Sequence, residues 1–169
     1  LFLNCGIRRS ELVNLNLSDV YEDRIRVIGK GNKERFVYFG SACRKAIDAY
    51  LPERNQKVLT DNRALFGSRD NNRISVTAVH RLVKKALLQA GLDSTQYSAH
   101  KLRHTAATMM LSGGVDVKTV QEVLGHENLN TTQIYTHIES TELKIAAEAN
   151  PLSKLDFSNK MEDTNGSNQ

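Results

Sequence analysis

Arg24-Ile25-Arg26-Val27-Ile28, then Gly29-Lys30-Gly31-Asn32-Lys33, then Arg35-Phe36-Val37-Tyr38-Phe39 is the stretch on which the fold turns. Its flanks are rich in β-branched and aromatic residues, and the two glycines and Asn32 between them suit a tight reversal. The stretch reads as a β-hairpin whose tip carries Lys30 and Lys33. Upstream, Leu12, Val13 and Leu15 sit beside polar residues from Ser10 to Leu17, a short helix entered through Gly6-Ile7-Arg8-Arg9.

Downstream the apolar period changes from two to that of a helix. Cys43, Ala46, Ile47, Tyr50 and Leu51 predict a helix from Ser41 to about Leu51, where Pro52 discourages continuation. The polar stretch from Asp61 to Arg73 reads as loop. Ser75 or Thr77 can then cap a helix carrying Val79, Leu82, Ala86, Leu87 and Ala90, stopped by Gly91. Further helices are predicted over His100 to Leu111, Val117 to Leu124 and Thr131 to His137, punctuated by Gly113-Gly114 and Gly125. A last one, Ser140 to Ala149, ends at Asn150-Pro151. The fold class is mainly α with one small antiparallel sheet (α+β).

Residues 1–153 read as one domain, and the polar, aperiodic 154–169 as a disordered tail. The first residues open inside an apolar run without an initiator Met, so upstream sequence is expected to be missing. With 40% hydrophobic and 25% charged residues the chain resembles an ordinary globular protein. No window approaches the roughly 18 apolar residues of a membrane span, and no secretory signal opens the chain. A cytoplasmic protein is expected. Cys5 and Cys43 stand in no metal-ligand or disulfide pattern and read as buried, idle thiols. A net charge of +4 permits a polyanionic partner without requiring one.

Chemistry concentrates in the second half. His100 and Arg103 are three apart on a helix, which puts an imidazole and a guanidinium on one face, able to grip a phosphate. His100 and His104 share the spacing of zinc-protease ligands, but Lys101 stands where such a site needs Glu. Leu124-Gly125-His126 is followed by Tyr135 nine positions after the histidine. Taken alone, Tyr135 would be a core residue and His100 and Arg103 a solvated face.

The order of these elements changes that reading. Gly6-Ile7-Arg8-Arg9-Ser10-Glu11, Gly29-Lys30-Gly31-Asn32-Lys33, His100-Lys101-Leu102-Arg103, Leu124-Gly125-His126 and Tyr135 together resemble a tyrosine recombinase catalytic domain, of the bacterial Xer-like or conjugative-transposon integrase type, over roughly residues 1 to 150. The resemblance implies that Arg8, Lys30, His100, Arg103 and His126 form the active site and that Tyr135 is the nucleophile. It implies site-specific cutting and rejoining of double-stranded DNA through a 3′-phosphotyrosyl link, without metal, ATP or another cofactor, in integration, excision or dimer resolution.

Arg9 beside Arg8, and Lys33 near Lys30, are the neighbours that could substitute. Arg8 lies four and seven residues before Leu12 and Leu15, so a continuous helix would aim it inward. Glu11 and Asp19 invite a reading as a catalytic carboxylate pair, but the resemblance implies structural support for Glu11, which can pair with a nearby cation, and Asp19 reads as a turn or helix-end residue. Arg81, Lys84 and Lys85 on the third predicted helix, with Lys33 on the hairpin, are candidates for DNA contact. The resemblance also implies an N-terminal core-binding domain, absent from this chain, and a homotetramer on DNA, with the isolated domain a monomer. Two readings compete: a type IB topoisomerase, which reseals the same strand, and a DNA-binding regulator without catalysis. The Gly-Lys-Gly hairpin and the Leu124-Gly125-His126 context favour recombination over the first, and the full set of chemical residues argues against the second.

Overall fold

The structure, a computed structural model, describes residues 1–125, 144, 145, 147, 148 and 150–154. The chain opens with a single helical turn, α1 (Phe2–Cys5), closed by Gly6 at φ +58°. A Cβ at Gly6 would stand 2.5 Å from Leu124 Cδ2, so glycine permits both the left-handed turn and the close approach of this segment to a later helix.

Helix α2 (Arg9–Asn14) is shorter than the sequence suggests, because Leu15 leaves it in extended backbone and Leu17–Asp19 forms a separate 3₁₀ turn. The terminating device is distant in sequence. The Arg73 guanidinium donates to the carbonyls of Val13 and Leu15 at 2.9 and 3.0 Å and to Asn16 Oδ1 at 2.6 Å, satisfying acceptors that lack partners at a helix end. Asp19 closes the next turn by accepting the Asn16 amide at 2.8 Å, and Arg26 donates to its carboxylate at 2.9 and 2.7 Å.

Strands β1 (Arg24–Ile28) and β2 (Glu34–Tyr38) pair antiparallel, with Arg24 opposite Tyr38 and Val27 opposite Arg35. The second strand starts and ends one residue earlier than expected. Its tip is a 3₁₀ turn at Lys30–Asn32, closed by the Gly29 amide donating to the Lys33 carbonyl at 2.8 Å. Ile25, Val27 and Val37 face the core. On the outer face Arg24 lies over the rings of Tyr21, Phe36 and Tyr38 at 5.4, 5.0 and 5.7 Å.

Helix α3 (Ser41–Asn55) runs through Pro52, one turn beyond the predicted stop. The extra turn is held from outside: Arg54 is buried and donates to the carbonyls of Ala64, Lys57 and Asn62 at 2.9, 3.2 and 2.9 Å. Three charge-assisted hydrogen bonds outweigh the backbone bond that proline cannot donate.

Helices α4 (Val76–Gln89), α5 (Ala99–Ser112) and α6 (Val117–Leu124) each begin at a capping side chain. Ser75 rather than Thr77 caps α4, accepting the Ala78 amide at 3.1 Å, while Ser98 and Asp116 cap the other two. The helix expected over Thr131–His137 lies outside the described residues. Of the one expected over Ser140–Ala149, the described residues 144, 145, 147 and 148 are helical, and Pro151–Lys154 follows as a 3₁₀ turn.

Packing sets the site. α1 rests on α5, α2 on α4 and β1, and α5 on α6, around Ile7, Leu15, Ile25, Leu65 and Met110, all fully buried. Cys5 and Cys43 are buried and free in this core. No helix among the described residues is long and apolar enough to cross a membrane.

Candidate active site

The site begins with a violation of hydrophobic patterning. Ala99, Arg103, Ala106 and Met110 recur at helical spacing along the buried stripe of α5, so a guanidinium stands where the period calls for an apolar residue. Arg103 is only 7% exposed. Two of its donors are held by main-chain carbonyls: Nη1 donates to the Gly6 oxygen and Nη2 to the Leu124 oxygen at 2.6 Å.

Arg8 reaches the same place from α2. It is the N-cap residue, in extended backbone at φ −78° and ψ 155°, not part of a continuous helix. The stripe argument for choosing it over Arg9 therefore fails, and capping geometry takes its place. The Arg8 amide donates to Glu11 Oε2 at 2.8 Å, its Nη1 to Glu11 Oε1 at 2.9 Å, and its Nη2 to the Gly125 carbonyl at 2.7 Å. Arg9 is exposed but lines the same cleft.

A third guanidinium arrives from the hairpin, and sequence reasoning did not single it out. Arg35 grips both oxygens of Glu11 at 2.8 and 3.0 Å and donates to the carbonyls of Val123 and Leu124 at 3.3 Å each. Strand alternation carried the signal. Arg35 shares the core face with Val37, and a cation at such a position needs a buried partner.

Glu11, 3% exposed, is that partner. Burial alone would push its carboxyl up, but the hydrogen bonds from Arg35 and from the Arg8 amide hold it below the ordinary value of 4.5. Among the described residues, three guanidiniums thus gather around one carboxylate, Arg8 and Arg35 in direct contact and Arg103 through space, leaving positive charge in excess. Apart from the Gly6 carbonyl, the remaining acceptors are carbonyls at the C-terminus of α6, where the helix dipole is negative. They orient the cations without neutralising them. Arg103 registers the crowding: burial first, then Arg8 and Arg35, push its guanidinium down to about 10, against the pull of Glu11. An anion brought here would relieve that repulsion.

Next to these groups opens a cleft of about 500 Å³, lined among others by Arg8, Arg9, Val76, His100, Arg103 and His104. His100 is exposed on the first turn of α5, one turn before Arg103. The structure therefore brings Arg8, His100 and Arg103 together. Lys30 and Lys33 stand exposed on the hairpin tip and are not among the residues that line the cleft. On α4, Arg81 and Lys85 are exposed and Lys84 is half-buried. His126 and Tyr135 lie outside the described residues. Gly125, the residue before His126, is left-handed at φ +65°, and a Cβ there would stand 2.9 Å from the Arg35 guanidinium carbon.

Residues 1–142 match the model of the phage integrase family. The chain is 56% identical over 155 residues to a tyrosine recombinase XerC of Caldanaerobacter subterraneus subsp. tengcongensis, covering 91% of this chain and 44% of the relative. It is 46% identical over 140 residues to the XerC of Corynebacterium glutamicum, covering 82% and 44%. The chain thus spans less than half the length of these curated relatives. Among solved structures, XerA recombinase superposes with a TM-score of 0.69 at 37% identity, covering 85% of this chain and 53% of that one. XerH site-specific recombinase bound to its difH substrate, a pre-cleavage complex, gives 0.65 at 29% identity over 83% and 42%.

Proposed function

We propose, from the premise that the chain belongs to the phage integrase family, that it is the catalytic domain of a site-specific tyrosine recombinase acting on double-stranded DNA. The observation that carries this reading is the excess of guanidinium charge around Glu11, open to a cleft that His100 also lines. A phosphodiester under attack concentrates negative charge on its non-bridging oxygens. Planar, permanently charged donors suit those oxygens, and held by carbonyls they need no reorganisation during reaction.

In the proposed step the Tyr135 oxygen attacks the scissile phosphorus. A phosphorus–tyrosyl oxygen bond forms as the bond to the 5′-oxygen breaks. The phenolic proton passes to His100, and Lys30 gives the 5′-oxygen its proton, while Arg8, Arg103 and His126 stabilise the phosphoryl charge. One phosphodiester is exchanged for another, so a second strand's 5′-hydroxyl reverses the step without an external energy source. Exchange between two duplexes cuts four strands, one tyrosine each, which supports a tetramer on DNA. Arg81, Lys84, Lys85 and Lys33 are assigned to phosphate contacts outside the cleft, with affinity that falls steeply with salt. The recombinases among its relatives favour strand exchange over topoisomerase swivelling.

The test is covalent trapping. The protein at its full natural length, given a nicked duplex whose cleavage releases a short fragment, should form an adduct whose peptide map ends on Tyr135. Absence of any adduct, or its mapping to another residue, overturns the reading. Arg103→Lys keeps one charge but loses the fork that serves Gly6 and Leu124, so single-turnover cleavage should fall about 100- to 1,000-fold. Cleavage at the wild-type rate would remove Arg103 from the chemistry.

A further inference from the structure

We infer that Arg35 is a positioning residue for strand cleavage, which registers the Lys30 hairpin against the Arg8–Glu11 pair and the C-terminus of α6. This rests on the recombinase reading above and extends it to a residue that contacts neither the nucleophile nor the phosphate in that reading.

Three separate parts of the fold meet at this one side chain. Arg35 belongs to β2, opposite Val27, two residues after Lys33, whose carbonyl closes the hairpin turn with the Gly29 amide. Its guanidinium grips both oxygens of Glu11, which in turn hold the Arg8 amide and Nη1. The same guanidinium donates to Val123 and Leu124 at the end of α6, and the Leu124 carbonyl also accepts from Arg103. The neck of the hairpin lies on this junction: a Cβ at Gly29 would be 3.6 Å from Arg35 Nη1 and 3.9 Å from Glu11 Oε1.

Two antiparallel strands alone fix a hairpin weakly, and among the described residues this sheet has two strands. A lysine at the tip can meet a particular atom on DNA only if the base of the hairpin is fixed relative to the groups that hold the phosphate. A rigid, bidentate fork at the base supplies that registry. Misplacement by about 1 Å costs on the order of 100-fold in rate. A lysine at 35 could still pair with Glu11 but could not also span the α6 carbonyls, so charge without the fork should restore only part of the function.

The measurement uses the protein at full natural length and two nicked duplexes that differ in one atom: an ordinary 5′-oxygen leaving group, and a 5′-sulfur that departs without a proton. Arg35→Gln should slow single-turnover cleavage of the oxygen substrate about 100-fold at saturating protein, with DNA affinity changed less than about threefold. On the sulfur substrate the defect should shrink to less than about tenfold, because protonation by the hairpin lysine is no longer needed. Arg35→Lys should fall between, about tenfold slow on oxygen. Should Arg35→Gln melt below the assay temperature, Arg35→Lys carries the same two-substrate comparison. Equal slowing on both substrates, or no slowing on either, overturns the inference while leaving the recombinase reading intact. A wild-type protein that cleaves neither substrate overturns that reading, and the role of Arg35 with it.

Discussion

Tyr135→Phe is expected to eliminate the covalent DNA adduct, lowering its formation about 10⁴-fold or more, while DNA affinity and its salt dependence stay within about threefold of wild type. The substitution removes one oxygen and leaves the ring. Affinity should survive because the phosphate contacts outside the cleft are assigned to α4 and the hairpin, and Arg8 and Arg103 are each anchored by contacts that do not involve residue 135. Chemistry should not survive, because no other group in the proposal supplies the attacking oxygen. A free phenol has a pKa of about 10, so little phenolate exists at neutral pH without cations nearby. The crowding that pushes Arg103 down to about 10 is the kind of potential that favours an anion in the cleft. Adduct formation by the Phe variant would remove Tyr135 as nucleophile. A large loss of DNA affinity would instead make Tyr135 a binding or packing residue.

How much of this was legible in the sequence depended on where each interaction partner lies. The hairpin, the capped helices α4 to α6 and the stop at Gly125 are signalled within a few residues of themselves, and they were predicted nearly to their ends. The early end of α2 was not, because its terminating guanidinium belongs to Arg73, and neither was the run of α3 through Pro52, because Arg54 anchors it to a loop further on. Local propensity cannot register such contacts. The ordered motifs that carry the family resemblance nominated Arg8, His100 and Arg103, which line one cleft. It proposed a support role for Glu11 but did not name Arg35, whose partners are 24, 88 and 89 residues away. Alternation on β2 did mark Arg35 as a cation facing the core, a violation that asks for a buried carboxylate.

That carboxylate is the second place where a small change should have a large effect. Glu11→Gln is expected to destabilise the fold by about 3–5 kcal/mol at pH 7, the usual consequence of removing one partner from a buried ion pair. The size of the side chain is kept, so the loss is electrostatic. An amide offers one carbonyl where the carboxylate serves Arg8 and Arg35 with both oxygens, and its N–H₂ would face a guanidinium. Acid should reproduce the effect in the wild type. The folded-state pKa of Glu11 is lowered from 4.5, so its contribution is fully present above that value and is lost as pH falls from 4.5 through the lower folded value. Urea unfolding of both proteins from pH 7 to pH 3 should therefore show a gap that is constant near neutrality and narrows on the acid side. A Gln variant as stable as wild type at pH 7 would mean that the arginines gain nothing from their shared carboxylate. A gap that persisted unchanged to pH 3 would mean that its effect comes from packing and not from charge.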